Sequence, residues 1–210
     1  MAWQRARNPN QKAERMTAIL ASAAGLFDQQ ELSEISMRDI AECADLSKAS
    51  LYSYFKTKEE VFAVLFLQEC RSWLNGVETK LARLRSPNAQ RVAKILTDVI
   101  KDELRFCRLT VVLASVLERN LSKEFIQDFK TELNSGLADV VTALQRVFPD
   151  MTDQAGTAFV YQHQAMIAGL WPITHPVPLV AEVLAQDEYK TMQVDFYAIF
   201  QASVEKLLQT

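Results

Sequence analysis

Glycine and proline are scarce in this chain, five and six among 210 residues. Sandwiches and barrels made of many short strands need more turn-forming punctuation, so the shortage points to helices. Cysteine is rarer still: Cys43, Cys70 and Cys107 are odd in number, widely spaced and without a CxxC pattern. They read as reduced thiols of a cytosolic protein, buried as small hydrophobes, and not as a disulfide framework or a zinc site. The two histidines, His163 and His175, are too far apart for an H-x-x-x-H pair, so no metal is expected. No apolar run approaches the ~18 residues of a membrane span. The stretch 160–170 is interrupted by Gln162, His163 and Gln164. The polar, basic start lacks the apolar segment of a signal peptide. No nucleophile–base pair, phosphate-cradling loop or paired carboxylate stands out, so neither catalysis nor a cofactor is expected.

What is present is an ordinary globular mixture, 49% apolar and 23% charged, long enough for a sizeable core in one or two domains. A net charge of −3 argues against binding polyanions over the whole surface. The charge is unevenly spread, however. Residues 1–58 carry eight basic and seven acidic side chains, and the first 15 carry four basic and one acidic. Arg5, Arg7, Lys12, Lys48, Lys56 and Lys58 fall where a phosphate backbone could be met.

Helical periodicity runs through almost the whole chain. Met16, Ile19, Leu20, Ala23, Ala24 and Phe27 mark one buried face. Ser36 with Asp39 forms an acidic capping box opening a short second helix, and 44–46 makes a tight break. Ser47 caps a third helix reaching about Phe55. Thr57 with Glu60 opens a long fourth helix that stops before Pro87. Beyond it, Val92, Ile95, Leu96, Val99 and Phe106 mark one stripe, 109–117 is more uniformly apolar, and Phe125 to Phe148 marks a long helix ended by Pro149. Another helix ends at Trp171-Pro172. Residues 172–178 hold three prolines and read as a loop, and a last helix carries Met192 through Leu207. The expectation is an all-α protein with two domains, 1–58 and 59–210.

Three short helices, the second and third separated by a three-residue turn, describe a helix-turn-helix. In this motif the third helix enters the DNA major groove and the second crosses the backbone. A helix from Ser47 to Phe55 is about 12–14 Å long, one groove's width. Leu51 and Phe55 would face the core, while Lys48, Ala49, Tyr52 and Ser53 would face outward.

From about Arg15 to Phe62 the chain resembles the N-terminal domain of the TetR family of bacterial transcriptional regulators. The resemblance rests on Ile19-Leu20, Ala23-Ala24, Leu26-Phe27, Ser36 to Ala41, and above all the run Ser47-Lys48-Ala49-Ser50-Leu51-Tyr52-Ser53-Tyr54-Phe55-Lys56-Thr57-Lys58. It implies that Lys48, Ala49 and Tyr52 contact bases and that Arg38 contacts a base or phosphate. It implies phosphate contacts for Ser36, Ser50, Tyr54 and Lys58. Chemistry agrees: Lys48 can donate to guanine, the Ala49 methyl can meet thymine, and tyrosine hydroxyls are ordinary phosphate donors. Two departures concern backbone. Glu31 stands where the family usually has Gly at the end of the first helix, so that connection is expected to wind differently. Asp45 replaces another Gly, and Asp tolerates the left-handed conformation the turn needs. Ala49-Ser50 replaces a common Gly-Thr pair, which changes the operator read.

Residues 59–210 then become a ligand-binding and dimerisation domain. Trp73, Phe106, Phe159, His163, Met166 and Trp171 are candidates for lining a largely apolar pocket. At helical spacing such aromatics are more often core than pocket, and His163 reads as a satisfied polar group. The resemblance implies that helices near 154–171 and 189–208 pair across a two-fold axis, with Gly169 and the alanines at 155, 158, 165 and 168 allowing close approach. The function implied is a cytoplasmic, bacterial, homodimeric repressor that binds a palindromic double-stranded DNA operator and is released by a small-molecule inducer, with no membrane partner. The competing reading is a helical small-molecule-binding or catalytic bundle whose N-terminal helices dock a protein.

Overall fold

The computed structural model describes residues 9–209, whose regular secondary structure is all helical, with no strand among them. Arg5 and Arg7 lie outside the described residues. Ten α-helices follow in order: α1 (Pro9–Gln29), α2 (Met37–Cys43), α3 (Lys48–Tyr52), α4 (Lys58–Leu81), α5 (Ala89–Ile100), α6 (Leu104–Val112), α7 (Lys123–Val147), α8 (Asp153–Thr174), α9 (Pro178–Leu184) and α10 (Phe196–Leu207).

The helix starts follow the capping chemistry expected of them. Ser36 accepts from the Asp39 N–H at 3.2 Å, and its own N–H and hydroxyl donate to the Asp39 carboxylate at 2.8 and 2.7 Å. These bonds, the hydroxyl's first, hold the Asp39 carboxyl below the usual carboxylate range. Ser47 and Thr57 cap α3 and α4 by accepting the Ser50 and Glu60 N–H groups, at 3.1 and 3.2 Å. The fourth helix departs in one detail: the Glu60 carboxylate takes the N–H of Lys56, at 2.6 Å, instead of that of the cap residue. Asp45 adopts the left-handed conformation, φ 53°, in the turn between α2 and α3. Glu31 does not. The chain leaves α1 through a non-helical connection that buries Leu32 and Ile35.

Several expected boundaries shift. α3 is five residues long, because Ser53 and Tyr54 fold into a turn whose N–H groups bond to Ser50 and Leu51. The stripe from Val92 to Phe106 is two helices, broken at 101–103, so Phe106 belongs to α6. The apolar stretch 109–117 ends in a π-helical turn, Leu113–Leu117. The proline segment is less of a loop than expected. Pro172 is accommodated in the last turn of α8, where it removes one backbone bond, and Pro178 opens α9, where its missing N–H has no helical partner to lose. The last helix starts at Phe196; Met192 lies in a short 3₁₀ segment before it.

α4 is the spine. Its first turns pack on α1, where the Phe27 and Phe62 rings lie 5.4 Å apart, and its later turns pack on α5, α6 and α7. α8 lies against α6, α7 and α10, and α10 also lies along α5. One continuous apolar core therefore runs from Ile19 in α1 to Val204 in α10.

Candidate nucleic-acid interface and ligand cavity

α3 is held from one side only. Leu51 is fully buried and Phe55 nearly so, while Lys48, Ala49 and Tyr52 on the same short helix face solvent. Tyr52 is 45% exposed, unusual for a large aromatic, and the Lys48 Nζ lies 5.8 Å from its ring centroid. Ser50 and Tyr54 are half-buried at the flanks. On α2, Ser36 and Arg38 are exposed. The Arg38 guanidinium pairs with Glu42 at 2.7 Å, an exposed contact one turn along the helix that a phosphate could replace. The seven side chains thus form one outward face with donors, a methyl and two aromatic hydroxyls.

Lys58 does something different. Its ammonium donates to the carbonyls of Leu32 and Ile35, both at 2.7 Å, and so ties the start of α4 to the connection between α1 and α2. Those carbonyls lie in the connection just after Glu31, where the chain leaves α1. The lysine is a strut for that loop, and two of its three N–H donors are already engaged.

A second feature sits in the body of the fold. A cavity of about 600 Å³ opens between α4, α7, α8 and the π-helical turn. Of the six expected lining residues, Trp73, Phe106 and His163 border it. Phe159, Met166 and Trp171 do not. Phe159 packs behind His163, at 6.0 Å between rings, and Trp171 stacks on His175 at 3.7 Å. Met166 packs against the core. The wall missed in the sequence is 133–137 of α7, with Leu113 and Ala114 of the π turn. Asn134-Ser135-Gly136 carries no aromatic signal that could mark it as lining. Single π turns inside helices concentrate at functional sites.

His163 is 1% exposed, and burial pushes its pKa down to about 3, so the imidazole is neutral. Its Nε2 and the Nε1 of Trp73 have no hydrogen-bond partner among the described residues, contrary to the satisfied histidine expected. Four of the charged residues at the cavity are paired with one another: Arg71 with Glu132 at 2.7 Å and Lys130 with Glu118 at 2.6 Å. Cys107, behind Phe106, is buried, and its thiol is pushed up to about 12. No cluster of His, Cys, Asp or Glu able to hold a metal occurs among the described residues.

α6 joins the two features. Phe106 faces the cavity, stacked on Trp73 with centroids 5.5 Å apart. From the same helix Arg105 takes the Asp28 carboxylate of α1 through two nitrogens, at 3.0 and 2.6 Å, and Glu69 of α4 through a third, at 2.7 Å.

A helix-turn-helix head on a helical body with a ligand-sized cavity is the architecture of a sensory regulator. Comparison with known proteins agrees. Residues 67–209 match the family described as tetracyclin repressor-like, C-terminal domain, and residues 19–65 match the family described as bacterial regulatory proteins, tetR family. The chain belongs to the TetR family, which is one of regulators and not of enzymes. It is 32% identical over 95 residues to an HTH-type transcriptional regulator of Mycobacterium tuberculosis, covering 45% of this chain and 46% of that one. It is 37% identical over 68 residues to the HTH-type transcriptional repressor KstR2 of Mycolicibacterium smegmatis, covering 32% and 33%. These matches span less than half of the relatives' length. The fold matches the fatty acid degradation regulator FadR of Bacillus halodurans with a TM-score of 0.57 at 16% identity, over 91% of this chain and 96% of that one. No single helix among the described residues is long and apolar enough to cross a membrane.

Proposed function

We propose that this protein is a DNA-binding transcriptional repressor that grips a two-half-site operator as a homodimer and releases it when a small, largely apolar inducer enters the body. The observation that carries this reading is α3, whose Leu51 is buried while Lys48, Ala49 and Tyr52 are presented to solvent. Those three side chains read base edges. Ser36, Ser50 and Tyr54 meet phosphates, as does Arg38 once it leaves Glu42. Lys58 serves chiefly by holding the loop behind them. A five-residue helix reads too few bases alone, so two copies about 34–36 Å apart share the task.

Two surfaces support the dimer. α8 exposes Ala155, Ala158, Ala165 and Gly169 at helical spacing, and α10 exposes Ala198 and Ala202, small residues that permit close helix approach. Ile173, Val177 and Leu179, at the end of α8 and the start of α9, are 60–72% exposed, apolar surface that a partner could cover. Induction is supported by α6, which carries a cavity wall on one face and the arginine grip on α1 on another. A ligand acts only through different affinity for two arrangements of these helices, typically ~1–3 kcal/mol.

The test selects bound duplexes from a random pool and repeats the selection with Lys48→Ala and Tyr52→Ala. Wild-type protein should recover a palindromic site that both variants, still folded, fail to discriminate. Recovery of the same site by either variant, or sedimentation of the wild type as a monomer, would overturn the reading.

A further inference from the structure

Two buried polar atoms face one problem. The Trp73 Nε1–H and the His163 Nε2 are each shut off from solvent, their rings 5.0 Å apart, and neither has a partner among the described residues. Leaving such atoms without a partner in a core forfeits their hydration, and natural cores rarely tolerate it without a purpose. Both residues border the same cavity.

We infer that Trp73 and His163 form the polar end of the ligand cavity, a subsite for an uncharged, mostly apolar molecule bearing a ketone, ester or hydroxyl oxygen. The inference deepens the inducer reading and rests on the cavity being the inducer site. The indole can only donate, so the ligand atom must accept. A neutral imidazole completes the pair in either tautomer: it donates to a carbonyl, or accepts from a hydroxyl. A carboxylate fits poorly. It would need a counter-charge, and burial keeps the imidazole neutral. The lining cations, Arg71 and Lys130, are already paired, and the lining acids Glu118, Glu132 and Asp139 outnumber them. The apolar remainder of the ligand would lie along Phe106, Leu74, Leu113 and Val140. At about 600 Å³ the space suits a molecule of ordinary metabolite size.

The test titrates the full-length protein with decanone, decanol and decanoate at pH 7 by calorimetry, and follows the indole N–H resonances of ¹⁵N-tryptophan-labelled protein. Trp73→Phe keeps the ring stack on Phe106 and removes only the donor, and it also identifies the Trp73 resonance. His163→Leu removes the second partner. The ketone and alcohol should bind at least about tenfold more tightly than the carboxylate and move the Trp73 N–H resonance downfield. Trp73→Phe should weaken ketone and alcohol about tenfold and leave decanoate unchanged; His163→Leu should do the same. Decanoate binding as tightly as the ketone, or unaltered ketone affinity in Trp73→Phe, would overturn the subsite. So would failure of all three probes to bind, which would also remove the cavity as a ligand site. Probes that bind as expected but release no DNA would leave the subsite standing and overturn the inducer reading alone.

Discussion

The guanidinium of Arg108 lies 4.2 Å from the centre of the Phe27 ring and donates to the carbonyl of that same residue. A second nitrogen donates to the Gln30 carbonyl at 3.0 Å. A cation on the last carbonyls of a helix satisfies acceptors with no helical partner and complements the helix dipole. Here the cation belongs to α6 and the helix is α1, so the end of the first DNA-side helix is capped from the ligand-side body.

Arg108→Ala leaves those carbonyls without their cap and uncovers the Phe27 ring. It should lower stability by about 1–3 kcal/mol, read as a lower urea midpoint with an unchanged slope. A midpoint equal to wild type would show that the cap contributes nothing.

Lys58→Ala should also destabilise, by about 1–3 kcal/mol, because the Leu32 and Ile35 carbonyls lose a charged donor. The loss should persist at high salt, since it comes from hydrogen bonds made inside the protein. Thermal unfolding at low and high ionic strength measures it. A variant as stable as wild type, with only a flatter salt dependence of DNA binding, would return Lys58 to a simple phosphate contact.

His163 links stability to pH. Its folded-state pKa is depressed to about 3, below the ordinary 6.5, so the unfolded chain takes up a proton that the folded one refuses. Stability is therefore full above about pH 6.5 and falls as pH drops toward 3. Between pH 7 and pH 5 the loss should be roughly 2 kcal/mol. Urea titrations should show that slope in wild type and a shallower one in His163→Leu; equal slopes would contradict a neutral buried imidazole.

Gly156 sits where α8 crosses α7, and a Cβ there would come within 2.7 Å of Val141 Cγ1. Valine is stiff about its first side-chain torsion, so the helices themselves must give. Gly156→Ala should cost about 1–3 kcal/mol despite alanine's better helix propensity. A more stable variant would mean that the crossing is looser than the structure has it.

Much of this molecule was legible along the chain. Periodicity marked the helices, and Ser36, Ser47 and Thr57 marked three of their starts, because capping is a local matter of one oxygen and an N–H three residues on. The outward set on α3 followed equally locally, from Leu51 and Phe55 claiming the inner side. Asp45 in the left-handed turn could be foreseen because the constraint is one residue's own backbone.

The failures share a cause. Phe159 and Met166 have the composition of pocket residues, yet they pack into the core, while Asn134-Ser135-Gly136 lines the cavity without looking like it. Lys58 looked like a free cation and spends its charge on carbonyls more than 20 residues earlier. Pro172 looked like the end of a helix and is absorbed in its last turn. Sequence by itself determined the helices, their caps and the face of α3, since each depends on neighbours within a turn or two. Tertiary structure decided which aromatics border the cavity, which polar atoms are left unpaired in it and which arginines clasp α1. Those outcomes depend on how distant helices cross, and no short window of residues contains that information.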